Sequence, residues 1–181
     1  MRNFIWFFIL LFSTAAWAAP YPATGSSLMT NPEKGLFFGG QGFQLGTLNS
    51  RWILNSTDSE NQVRYSHSES DTASVMVRSD ELATTSSLET YAKKWMKDYS
   101  SYGFDVLGAR TFSEKSVRGM VVDLMNKAKQ KQVRQAIYVK DKKAVIITCM
   151  DDPKWFLGTL SQCNQLIKNF SWLETTIPTN F

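Results

Sequence analysis

Between Phe104 and Cys149 four apolar segments follow one another with only short polar breaks: Phe104 to Phe112, Arg118 to Met125, Gln132 to Val139 and Ala144 to Cys149. Short apolar segments divided by polar turns read as β-strands. Lys140 to Lys143 leaves room only for a hairpin, which makes the last two strands antiparallel. Met120-Val121-Val122 and Val145-Ile146-Ile147 are apolar at consecutive positions. Successive strand residues point to opposite faces, so both faces of this sheet are apolar and each needs a covering layer.

The flanking sequence supplies further strands and the layers. Phe43 to Leu48, Trp52 to Leu54, Val63 to Tyr65 and Ala73 to Val77 read as strands, and the wholly polar Ser66 to Thr72 as a loop. Leu88, Tyr91, Ala92, Trp95, Met96 and Tyr99 recur at helical spacing, behind a capping box of Ser86 and Glu89 and ahead of Gly103 as a left-handed cap. A second helix is expected from Asp152-Pro153, an N-cap with proline in the first turn, to about Ser171. Its buried stripe is Phe156, Leu160, Cys163, Ile167 and Phe170. The fold class is therefore α+β: an antiparallel β-sheet flanked by helices, an α/β/α sandwich. A single domain spans 42–173 and a tail follows at 174–181. Residues 20–41, with Pro20, Pro22 and Pro32, form an extended lead-in. Its Leu36-Phe37-Phe38 end either docks on the domain or belongs to a flexible tether.

The first nineteen residues carry an address. Arg2, the apolar run Phe4 to Phe12 and the site Ala16-Trp17-Ala18 have the order of a secretory signal peptide, cut after Ala18 or Ala19. An exported, periplasmic or secreted protein follows. Removing Arg2 lowers the net charge from +4 to +3. Such a weak balance, in an extracytoplasmic space, argues against nucleic acid as a partner. With 43% apolar residues and 13% aromatics, a domain of this length buries about 70% of its unfolded surface and builds its own core.

Several stretches resemble one known family. Gly42-Phe43-Gln44-Leu45 with Trp52 resembles its first hairpin, Ala73 to Val77 the strand before helix one, and Gly103-Phe104 the exit from that helix. Val122-Asp123-Leu124, Arg134-Gln135-Ala136, Val139-Lys140-Asp141 and Phe170-Ser171-Trp172 resemble its C-terminal half. The family is the α/β/α sandwich of the photosystem II extrinsic protein PsbP, the periplasmic DcrB proteins and the Ran-binding Mog-type proteins. This resemblance implies a non-catalytic assembly factor or binding partner. The metal-binding residues of the photosynthetic members have no matching motif here.

Residues capable of chemistry are few. His67, the only histidine, lies in Ser66-His67-Ser68-Glu69-Ser70-Asp71. A triad needs groups converging from fixed positions, so this is read as a solvated loop histidine. One histidine and two separated cysteines do not make a zinc site, and Asp151-Asp152 serves better as a helix cap than as a calcium ligand. Gly39-Gly40-Gln41-Gly42 lacks the Gly-Lys-Ser/Thr of a phosphate loop. No catalysis, metal or cofactor is expected. The sequons at Asn55 and Asn169 matter only in a eukaryotic secretory pathway.

Three features stay as candidate sites. Cys149 and Cys163 are the only cysteines, and export makes a disulfide the default. Cys163 would lie about 16 Å along its helix, so the bond needs the helix to fold back over the strand; two separate buried thiols are the alternative. Lys127, Lys129, Lys131, Lys140, Lys142 and Lys143 gather at hairpin turns, a basic surface for anionic lipid or an acidic partner, or simply solvated turns. Finally, pairing Met125 with Gln132 sets Asp123 opposite Arg134, and pairing Val139 with Ala144 sets Arg134 opposite Cys149. Asp123, Arg134 and Cys149 then share one sheet face. The pair is either a cross-strand ion bridge, or Arg134 activates Cys149 if that thiol is free. The function expected is non-catalytic binding or assembly with another envelope or secreted protein. The alternatives are a small envelope hydrolase, a thiol-dependent enzyme, or peripheral membrane contact through the lysine turns.

Overall fold

The computed structural model describes residues 28–31, 35–55 and 61–173. The expected signal peptide, its cleavage site and the tail 174–181 lie outside these residues. The described region opens with a hairpin, β1 (Leu28–Asn31) and β2 (Gly35–Phe38). Gly35 has a φ of +99°, and a Cβ there would fall 2.1 Å from the Leu45 carbonyl oxygen, so only glycine fits. After a 3₁₀ turn come β3 (Phe43–Gln44), β4 (Trp52–Leu54), β5 (Gln62–His67) and β6 (Ser70–Glu81). Helix α1 (Leu88–Asp98) leads through a second 3₁₀ turn at Ser100–Tyr102 to the meander β7 (Asp105–Glu114), β8 (Val117–Asn126), β9 (Lys131–Lys140) and β10 (Lys143–Asp151). Helix α2 (Phe156–Lys168) and β11 (Ser171–Trp172) complete it.

Seven strands form one antiparallel sheet in the order β4-β5-β6-β10-β9-β8-β7. Its two faces have separate cores, as the consecutive apolar positions require. Val75, Val121, Ala136, Tyr138, Val145 and Ile147 pack under α2 and a second sheet, β1-β2-β3-β11. Met120, Val122, Leu124, Ile137 and Ile146 pack under α1. Aromatic rings bind the small sheet to the large one. Phe43 stacks on Phe38 at 4.6 Å, Phe170 on Tyr138 at 3.7 Å, and the Tyr138 hydroxyl donates to the Ile167 carbonyl at 2.9 Å.

Four expectations need correction. Residues 28–31 and 35–38 of the lead-in are not merely extended. They form the β1–β2 hairpin, with Leu36 and Phe38 buried. Ser66 to Thr72 is not a loop: β5 runs to His67 and β6 starts at Ser70, with a bulge between Ser66 and His67. The polar side chains there misread as a loop because the local hydrogen bonds of Ser and Thr, such as Ala73 N–H to Ser70 Oγ at 3.2 Å, also serve a tight turn. The cap of α1 is Ser87, whose Oγ accepts from Thr90 N–H at 3.1 Å, while Glu89 pairs with Arg118. Asp152 does not cap α2, which starts at Phe156. Lys131 takes its carboxylate at 2.6 Å, and Trp155 N–H closes a turn on its carbonyl.

Candidate functional site

On the α2 face the register fixes one polar row. Asp123 is opposite Arg134 across β8–β9, and Arg134 is opposite Cys149 across β9–β10. Arg134 Nε and Nη2 donate to the two Asp123 oxygens at 2.7 and 2.8 Å, a fork matched to a carboxylate. Its Nη1 donates to Asn164 Oδ1 at 3.2 Å, and Arg110 stands 3.6 Å from the same carboxylate. Cys149 and Cys163 form a disulfide, with Cα atoms 6.1 Å apart. The helix starts later than expected, so Cys163 lies only about 10 Å along it, within reach of a strand position two residues from the end of β10. Neither sulfur is a thiol and both are fully buried. Activation of Cys149 by Arg134 is therefore excluded in this state. The row instead pins α2 to the sheet at two successive residues, Cys163 and Asn164. Such a bond forms and persists in an oxidising, extracytoplasmic compartment.

Other candidates lose their convergence. His67 sits at the end of β5, edge-on to the Trp52 ring at 5.2 Å, and its Nδ1 accepts the Glu69 amide at 3.2 Å. Asp151, across the same cleft, accepts from Thr72 Oγ1 and Thr159 Oγ1 at 2.6 Å each and from Asp152 N–H at 2.8 Å. Its lone pairs serve the start of α2. Among the described residues no group of three or more potential ligands could hold a metal.

The six lysines do not form one surface. Lys127, Lys129 and Lys131 flank the β8–β9 turn, while Lys140, Lys142 and Lys143 flank the β9–β10 turn at the opposite end of β9. Those ends are about 30 Å apart at about 3.3 Å per residue. Lys127, Lys131 and Lys143 are also engaged, with Asp105, Asp152 and Glu81.

The other face holds a cavity. Helix α1 lies over β8 and β9 and leaves β5 and β6 largely uncovered. Beneath its C-terminal half the gap amounts to about 340 Å³, within the range of small-molecule sites. Its floor is set by register: Arg64 on β5 neighbours Met76 on β6, then Thr148 on β10, then Gln135 on β9. Leu124, Val133 and Ile137 close one end, all at least 98% buried. Trp95, Tyr99 and Phe104 form the roof. Its central polar groups satisfy one another: Tyr99 donates to Gln135 Oε1, and Gln135 Nε2 donates to Thr148 Oγ1 at 3.2 Å. Burial pushes the Tyr99 phenol up to about 12, so it remains a donor at neutral pH. Arg78 stacks 4.6 Å over Trp95 with Asp80 3.0 Å from its Nε. Among the described residues Arg64 has no carboxylate partner, and it lies exposed at the open end.

No protein-family model matches the sequence, and no curated protein does. Solved structures do. The chain is similar to the solution structure of cyanobacterial PsbP (CyanoP) from Synechocystis sp. PCC 6803, with a TM-score of 0.59 and 11% identity, covering 74% of this chain and 88% of that one. It is also similar to the crystal structure of PA94 from Pseudomonas aeruginosa, a protein of unknown function, with a TM-score of 0.52 and 10% identity, covering 66% of this chain and 95% of that one. The fold is PsbP-like. Identity this low carries the architecture and leaves activity open.

Within the PsbP-like fold, the cavity is the site that sequence reasoning missed. A signal was present. Gln135 and Thr148 interrupt apolar runs at positions facing α1, and the β9–β10 register that pairs Val139 with Ala144 also pairs these two. Two polar residues side by side on an otherwise apolar face mark a place where packing is incomplete or a polar group is needed.

Proposed function

We propose that this is an exported, non-catalytic binding protein of the bacterial envelope. The observation that carries the reading is the cavity under α1. It is apolar at its closed end, its central polar groups are hydrogen-bonded to each other, and it offers no nucleophile paired with a base. Sites of this build hold a ligand by shape and burial. The PsbP-like fold and the disulfide support an extracytoplasmic setting, and no helix among the described residues is long and apolar enough to cross a membrane. The buried disulfide counts against a thiol-dependent enzyme, and the separation of the lysine groups counts against a single membrane-facing patch.

The test is a titration of the folded, disulfide-bonded protein with N-phenyl-1-naphthylamine, a neutral apolar dye that brightens when desolvated. Saturable binding of one dye per chain is expected, and its loss when Met150→Trp or Thr148→Phe fills the cavity. Absence of saturable binding in the unaltered protein would overturn the reading. So would hydrolase activity that disappears in His67→Ala.

A further inference from the structure

We propose that the cavity takes a single acyl chain ending in a carboxylate, with the chain running under α1 and the head at Arg64. This rests on the reading of the cavity as a binding site and deepens it. From Leu124 on β8 to Arg64 on β5 the floor crosses β9, β10 and β6. Four strand spacings of about 4.8 Å make this about 19 Å. The floor is therefore elongated across the strands, with buried side chains at one end and the exposed Arg64 at the other. Its closed end, at Leu124, Val133 and Ile137, offers only hydrocarbon. Its open end carries a guanidinium.

The two arginines of the slot differ in a way that selects the head group. Arg78 is neutralised by Asp80, which also accepts the Tyr91 hydroxyl. An anion gains little there. Arg64 presents a planar fork of donors suited to a carboxylate. The middle of the floor is half-polar, because the Thr148 side chain is only half-buried and Gln135 beside it is partly exposed. Length agrees as well. An extended chain spans roughly 1.2 Å per bond, so dodecanoate reaches about 13 Å, and the Arg64 side chain, about 6 Å from Cα to guanidinium at the same rise per bond, spans the remainder.

The experiment displaces N-phenyl-1-naphthylamine from the disulfide-bonded protein with dodecanoate or dodecanol, both below micelle formation. The two share a tail and differ in the head. Dodecanoate is expected to compete at a concentration on the order of tenfold lower, the effect of one charge-assisted hydrogen-bonded pair. In Arg64→Gln that preference should vanish while dodecanol competes as before. Equal potency in the unaltered protein, or a preference that survives Arg64→Gln, would overturn the head-group assignment and leave the cavity reading standing. Failure of the dye itself to bind would overturn both. Phosphatidylglycerol vesicles without free acid should not bring the protein down on sedimentation; co-sedimentation lost in Arg64→Gln would assign the anion to a bilayer instead of a free acid and overturn the free-acid assignment.

Discussion

Replacing both Cys149 and Cys163 by alanine should cost about 5 kcal/mol, and the parts of that figure can be measured separately. The bond joins positions 14 residues apart. Loss of the closure of a loop of about 15 residues in the unfolded chain is worth about 3 kcal/mol at 25 °C. Both side chains are fully buried, and removing each sulfur leaves a gap costing about 1 kcal/mol. Helix α2 keeps its other anchors, Arg134 to Asn164 and Tyr138 to Ile167, so the loss should appear as lower global stability and not as an undocked helix. At about 2–4 °C per kcal/mol for a domain of this size, the midpoint falls by about 10–20 °C. Urea unfolding followed by tryptophan fluorescence, with and without reductant, separates the terms. Reductant on the unaltered protein should remove about 3 kcal/mol, and the alanine variant should ignore it. The slope on urea should rise in both, because the unfolded chain exposes more surface once the crosslink is gone. If thiol labelling shows both sulfurs reduced and the midpoint has not moved, the loop-closure argument is wrong.

Three further outcomes are expected. Asp123→Ala strands Arg134, whose side chain is only 11% exposed, and should cost about 3 kcal/mol in urea unfolding; adding Arg134→Met should restore most of it. Gly119→Ala puts a Cβ 2.6 Å from the Phe112 ring and 2.9 Å from Tyr138, which is already stacked on Phe170, so about 1–3 kcal/mol should be lost; a midpoint equal to the parent's would show that the rings yield freely. Burial raises the phenols of Tyr65, Tyr91 and Tyr99 from 10 to about 12, and that of Tyr138 further. Their folded values exceed the unfolded ones, so the stabilisation is complete below about pH 10 and is lost as pH climbs through 12. Phenolate absorbance should therefore rise together with loss of near-ultraviolet dichroism, and full ionisation near pH 10 in a protein that stays folded would contradict it.

The sheet was legible because its determinants are local. Polar turns at Lys127–Gln130 and Lys140–Lys142 fix two hairpins, and in an antiparallel ladder one correct pair fixes all the others. Asp123 opposite Arg134, and Arg134 opposite Cys149, follow from the turns alone. Errors gathered where polar side chains have two uses. Ser66 to Thr72 has the composition of a loop, yet its Ser and Thr residues brace a hairpin and hold Asp151. Ser86 and Ser87 are equally good caps by type; the choice of Ser87 is made by where Leu88 must point to reach the core. The lysine turns looked like one cluster because adjacency in sequence hides that successive turns of a meander lie at opposite ends of it.

The cavity belongs to a different category, since it is defined by what α1 fails to cover. Residue patterns specify which face of an element is apolar, but the area left over depends on helix length and placement. Eleven residues of α1 extend about 16 Å, whereas seven strands spaced about 4.8 Å apart span about 29 Å. One short helix cannot roof such a sheet. On the opposite face α2 has the help of β1, β2, β3 and β11, and the disulfide holds it in place. On the α1 face, among the described residues, only the 3₁₀ turn at Ser100–Tyr102 adds to the cover, and the cavity floor carries Arg64, Ser74, Met76 and Thr148 in place of larger hydrophobics. This asymmetry separates the two halves of the molecule by task. The α2 face is closed, crosslinked and ion-paired, and supplies rigidity; the α1 face keeps a preformed opening that the rigid sheet holds in shape.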